Sequence, residues 1–314
     1  MNLSWVALGE PFILASMEDF VSNAFFKLIA IELEQQGLDV RANSQFTGKA
    51  ERSDKATMLD EALAKLGPVA LLKIGEGIHR LHFDPTLALM LKAVSVQDLL
   101  ERWSRLEKYL HGQHRVKIVE LTDTSTILEH YSVTGEGPSV SEDLVVAGLF
   151  AALFHAIGVK KLSASIGNSV VISDDVYSEP KPRLSSTQVW TYLWDDFKQD
   201  QLGVAPLGPN ETAVDRVRLL LLTDPGRSWK LPTVADILAT STRSLQRRLE
   251  QSGVNFQTLL RSTRADSAAT MLLKNEYGLS EVSYATGFAD QAHFSREFKL
   301  RFNMSPTEYI ALSR

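Results

Sequence analysis

The chain has 314 residues with a formal net charge of -5; 44% of them are hydrophobic and 23% charged. That length suits about two domains, and the composition excludes a collagenous, low-complexity or broadly disordered chain. With no cysteine in the sequence, disulfides, iron–sulfur clusters, thiolate zinc sites and cysteine nucleophiles are all excluded.

In chain order, apolar spacing predicts helices at Glu18–Gln36, Thr57–Leu66 and Val96–His111. In the last of these, Leu99, Leu100, Trp103, Leu106 and Leu110 share one face. Val116–Leu121 and Thr126–Val133 alternate like an antiparallel hairpin. A helix at Leu144–Gly158, strands near Lys161–Ser165 and Ser169–Ile172, and a helical segment at Thr187–Lys198 complete an α+β half. The N-terminus carries no basic stretch ahead of an apolar run, and no segment reaches the ~20 apolar residues of a membrane helix. The expectation is a cytoplasmic protein without a membrane partner.

A turn-rich stretch, Gly203–Asn210, marks a boundary with two prolines and two glycines. Charge divides near the same place. Residues 211–314 hold 14 basic and 11 acidic residues, whereas 1–210 hold 19 basic and 27 acidic ones. A basic tail on an acidic body is the pattern of a chain with one part close to a polyanion.

Beyond the boundary the pattern is almost all helix. Ala213–Thr223 is stopped by Asp224-Pro225-Gly226, and Thr233 is expected to cap a helix at Val234–Ala239. Ser241-Thr242 precedes a helix at Arg243–Gln251, with Gly253 at its C-terminal end. A long helix spans Phe256–Lys274. Ser280 is expected to open a short helix, Asp290 caps one running to Phe302, and Ser305-Pro306 starts the last.

Two helix-turn-helix units are legible here, Val234–Leu249 and Leu279–Phe298. Small residues (Ala235, Ala239, Ser283, Ala285) are expected to let the paired helices approach. Leu245 with Leu249, and Phe294 with Phe298, face inward at i,i+4. The opposite faces present Arg243, Gln246 and Arg247 in the first unit, and Gln291, His293, Ser295 and Arg296 in the second. Those side chains match the major-groove donor and acceptor code, in which Arg forks onto guanine and Gln pairs adenine. A 19-residue spacer of about 28 Å suits readers placed in grooves about 34 Å apart.

On these motifs, above all Thr286–Tyr309 and Thr240–Leu249, residues 230–312 strongly resemble the DNA-binding domain of the AraC/XylS family of bacterial transcription regulators. Ala292, Ser283, Asn303 and Ile310 depart from the usual pattern. The resemblance implies base contacts from Arg243, Gln246, Arg247, Gln291, His293 and Arg296, with backbone N–H groups near Thr233 and Asp290 meeting phosphates. Its implied partners are promoter or operator DNA, RNA polymerase and, in a homodimer, a second copy. Residues 18–200 resemble, more faintly, the effector domain of the ornithine-regulator-type branch. The organisation expected is therefore an α+β sensing or dimerising domain (1–205) and an all-α DNA-binding domain (211–314), with a small-molecule effector in the first.

Other features carry less. His79–His82 and His111–His114 have a chelating spacing without a third ligand, so no metal is expected. Asp174-Asp175 and Asp195-Asp196 read as solvated surface, and Gly75-Glu-Gly77 lacks the rest of a phosphate loop. Trp103, Tyr131 and Phe154 line either a pocket or a core. No nucleophile–base pair emerges, so neither an enzyme activity nor a cofactor is expected. An N-terminal half that makes only protein contacts is the alternative to a sensor.

Overall fold

The computed structural model describes residues 28–38, 52–81, 89–107, 113–181, 184, 186–197, 212–274 and 277–312. The first half opens with helices α1 (residues 28–35), α2 (Arg52–Leu66) and α3 (Pro68–Lys73). A 3-10 segment, Ile74–Leu81, follows, then α4 (Val96–Leu106). Strands β1 (His114–Leu121) and β2 (Ser125–Ser132) pair as the expected antiparallel hairpin. Helix α5 (Val140–Ala156) then crosses to β3 (Val159–Lys160), β4 (Ser163–Ile166), β5 (Ser169–Ser173), β6 (Val176–Lys181), β7 (Val189–Leu193) and β8 (Asp196–Phe197). Six strands form one antiparallel sheet in the order β1-β2-β7-β4-β5-β6; β3 and β8 form a second, two-stranded sheet.

Helix α5 is the centre of this half. Ser139 and Glu142 close a capping box at its start, which satisfies two otherwise unpaired N–H groups. Apolar residues then surround it, as suits a helix covered on several sides. Phe150 stacks against Trp103 and Trp190, and Phe154 against Tyr192 and Trp194. The Tyr192 hydroxyl donates to Ala147 O at 2.8 Å. Trp103 and Phe154 are therefore core. Gly148 lies against the Leu72 carbonyl and Gly75 against Gly148 itself, so a Cβ at either glycine collides with backbone.

Two expectations need correction here. Thr187–Lys198 is not helical: it holds β7 and β8. Trp190, Tyr192 and Trp194 are buried at every second residue, while Val189 and Leu193 are exposed, a period of two that only a strand can use. Its place between β2 and β4 supplies partners on both sides. Helix α5 also begins at Val140 rather than Leu144, because its N-cap, Ser139, lies five residues before Leu144. Gly203–Asn210, His82 and His111 lie outside the described residues, as does the start of the first predicted helix.

The second half is helical: α6 (Ala213–Thr223), α7 (Leu231–Ile237), α8 (Thr242–Gln251), α9 (Phe256–Lys274), α10 (Leu279–Ala285), α11 (Gln291–Phe302) and α12 (Pro306–Leu312). Two apolar clusters sit in it. One joins α6, α7, α8 and the start of α9; the other joins the end of α9 to α10, α11 and α12. Helix α7 starts earlier than expected, after Lys230 and with no side-chain cap, because Pro232 presets the backbone of the first turn. Thr233 thus lies inside the helix. Likewise α10 starts after Gly278, whose N–H donates to Glu281 at 2.6 Å, and Ser280 is its second residue.

Candidate nucleic-acid interface

Each helix pair in this half turns through one left-handed residue, Ala239 (φ 49) in the first and Gly287 (φ 80) in the second. Ala239 is exposed in that turn, so it does not lie between the helices as the sequence implied; Ala235 and Ser283 do, both fully buried. The second helix of each pair is capped. Ser241 accepts from Ser244 N at 3.1 Å and Asp290 from His293 N at 2.7 Å. Leu245 and Leu249 are buried, as are Phe294 and Phe298. That burial fixes which face of α8 and α11 points outward.

On α8 the outward face carries Arg243, Gln246, Arg247 and Arg248, all exposed. The three arginines have no ion-pair partner among the described residues, while Gln246 donates to Glu250 at 3.0 Å. On α11, Gln291 and Arg296 are exposed, and Gln291 accepts from Ser280 at 3.2 Å. His293 and Ser295 are only half-exposed. The His293 ring turns back over Phe288, edge to face at 5.5 Å, with Nε2 3.8 Å from Glu297. Arg247 and Arg296 each stand six residues after the cap, so the two helices offer a guanidinium at the same height. Arg248 and, on the spacer, Arg261, 3.8 Å from Glu297, add positive charge that residue-by-residue reading overlooked. Spacing gave no signal for Arg248, because a residue three after Leu245 falls near the same helix face.

The spacer α9 holds both pairs. It has 19 residues, about 28 Å at 1.5 Å per residue. Arg264, midway along it, donates to Pro225 O at 3.1 Å and to Arg227 O at 2.9 Å, gripping the loop between α6 and α7. Gly287 approaches Pro225 O so closely that a Cβ there would stand 2.7 Å away, and Gly226 meets Ala285 O in the same way. Arg301 clamps Asp266 with two bonds of 2.9 and 3.1 Å, tying α11 to α9. The two outward faces are thus set on one rigid rod. No group of three or more potential metal ligands occurs among the described residues, and none of their helices is long and apolar enough to cross a membrane.

Two capped helices with outward guanidiniums, joined by a rigid spacer, define a tandem helix-turn-helix module, a class that inserts its second helices into DNA grooves. Comparison with known proteins falls on this segment: residues 234–311 match the family model of a helix-turn-helix domain. The transcriptional activator CsvR of Escherichia coli is 33% identical over 31% of this chain and 36% of its own. The TCP pilus virulence regulatory protein of Vibrio cholerae is 30% identical over the same shares. The urease operon transcriptional activator of Escherichia coli is 34% identical over 30% of this chain and 32% of its own. The chain spans about a third of the length of the relatives it matches.

Proposed function

We propose that this protein is a sequence-specific transcription regulator that reads two successive major-groove segments of double-stranded DNA. The observation that carries this reading is the matched pair of outward faces on α8 and α11. Arg243, Gln246 and Arg247 form the first reader, and Gln291 and Arg296, with His293 and Ser295 at the edge, form the second. Arg247 and Arg296 are the strongest candidates for bidentate contacts to guanine, each worth about 1–3 kcal/mol of discrimination. The half spanning 1–205 is read as an effector-sensing or dimerising domain, and 211–314 as the DNA-binding domain. The expected effector of the first half is a small apolar or amphipathic metabolite. RNA polymerase and a second copy of the chain are the protein partners this role calls for.

The test is a selection of bound duplexes from a random pool, followed by footprinting. A protected region covering two major-groove segments on one face of the duplex is expected. Arg247→Ala and Arg296→Ala should each weaken the selected site by about 1–3 kcal/mol and random DNA much less. Equal losses on both would reduce these arginines to phosphate contacts. Protection of a single groove would overturn the two-reader geometry.

A further inference from the structure

Counted from their N-caps, the two reading helices align residue for residue. Ser241 caps α8 where Asp290 caps α11, and the buried pair Leu245 and Leu249 falls where Phe294 and Phe298 fall. Every fourth residue along the outward side then traces a ridge. On α8 the ridge is Arg243, Arg247 and Gln251; on α11 it is Ala292, Arg296 and Leu300. All six are exposed, Leu300 by 75%. Residues four apart stack one above the other on a helix surface, so each ridge is one continuous strip.

The ridges agree only at their centre. Arg247 and Arg296 match, but where α8 adds a second guanidinium and an amide, α11 has a methyl and an isobutyl group. Among the base edges of the major groove, the apolar group on offer is the C5-methyl of thymine. Ala292 is the second residue of α11, in the turn whose residues meet base edges when such a helix docks. Its side chain is a single methyl, so the backbone can come close to those edges. The turn is also held in place. Asp290 accepts from His293 N at 2.7 Å through its side chain and from Ser283 Oγ at 3.3 Å through its carbonyl.

We infer that Ala292 is a specificity-determining residue: it reads the methyl of a thymine close to the guanine taken by Arg296. The two half-sites then differ in chemistry, with two guanines under α8 and one guanine and one thymine under α11. Four residues rise about 6 Å along a helix, and base steps are about 3.4 Å apart, so the thymine lies within about two base pairs of that guanine. Unequal half-sites also fix the direction in which the chain lies on the duplex, which two equal readers would leave open. This role of Ala292 rests on the DNA-reading function proposed above. Burial of one methyl group corresponds to about a fourfold change in affinity.

The test starts from duplexes that the full chain selects out of a random pool, with binding read by fluorescence anisotropy. Repeating the selection with Arg296→Ala marks the half-site under α11 as the one that loses its guanine. Thymine in that half-site is then replaced by uracil, which removes the C5-methyl and nothing else. Replacement within about two base pairs of the guanine is expected to weaken binding about fourfold, and replacement elsewhere in the site to leave it unchanged. Ala292→Gly should bind the thymine and uracil duplexes equally, a ratio that a general loss of helix stability does not move. Ala292→Arg should select guanine in place of the thymine. A selected half-site with no thymine there, equal binding of both duplexes by the wild type, or a thymine preference that survives Ala292→Gly overturns this role while leaving the DNA-reading function intact. If Ala292→Gly fails to fold, the wild-type comparison decides alone. Should no duplex be enriched, the DNA-reading function falls, and the role of Ala292 with it.

Discussion

Glu107, at the end of α4, shows how much a single residue's environment decides. Its carboxylate accepts from Trp103 Nε1 at 2.7 Å and Val116 N at 2.8 Å, yet burial outweighs both bonds and pushes its pKa up to about 7. A raised carboxyl pKa means that the folded state binds the proton more tightly than the unfolded chain does. The contribution is fully present below about pH 4.5 and is lost as pH rises through about 7, an effect on the order of 3 kcal/mol. Melting temperatures of the wild type should therefore fall from pH 5 to pH 8 relative to Glu107→Gln, whose amide keeps an acceptor for both donors without titrating. Parallel curves would refute the buried proton. In the sequence Glu107 is one acidic residue among many, and nothing local marks it. Arg102 carried a faint signal, since it falls three residues after Leu99 and four before Leu106, on the apolar face. Only the arrival of Asp224 from 122 residues away explains why a charge is tolerated there.

At the scale of elements, the caps and turns of the reading module are the sensitive points. Gly287 combines φ 80 with the close approach of Pro225 O, so Gly287→Ala should destabilise by about 1–3 kcal/mol. Asp290→Ala removes the cap of α11 and should cost about 1 kcal/mol, together with some loss of DNA affinity as the first turn of the reader frays. Urea denaturation of both variants measures this, and a Gly287→Ala protein as stable as wild type would contradict the packing described. These elements were legible because caps, left-handed turns and i,i+4 apolar pairs are local. The strand β7 was not. Trp190, Tyr192 and Trp194 read equally well as a helix edge until β2 and β4 supply hydrogen-bond partners on either side. Trp190→Ala, at the fully buried centre of that strand, should cost about 3–5 kcal/mol.

For the whole molecule, the decisive quantity is the charge asymmetry along the chain, 19 basic and 27 acidic residues in 1–210 against 14 and 11 in 211–314. Residues 212–314 alone should bind a random duplex more tightly than the full chain at low salt. The two affinities should converge as salt rises, because screening removes repulsion between separated charges before it removes direct contacts. Titrations across a salt series check this. A constant gap at all salt concentrations would point to steric blocking instead. Phosphate-dominated binding should also fall steeply with salt for both forms.

The sequence by itself determined the reading module. Its succession of helices, its buried Leu and Phe pairs and its outward Arg243, Gln246, Arg247 and Arg296 follow from periodicity and capping within a few residues, although the starts of α7 and α10 do not. It also determined the α+β character of the first half and the β1–β2 hairpin, both set by short-range alternation. Only the tertiary structure decided the six-stranded order of the sheet, the strand at Val189–Leu193 and the inward turn of His293. It alone brought Arg102 and Tyr284 to the seam between the halves. Those features depend on partners far along the chain, and pairing at that range leaves no periodic trace in the residues that take part.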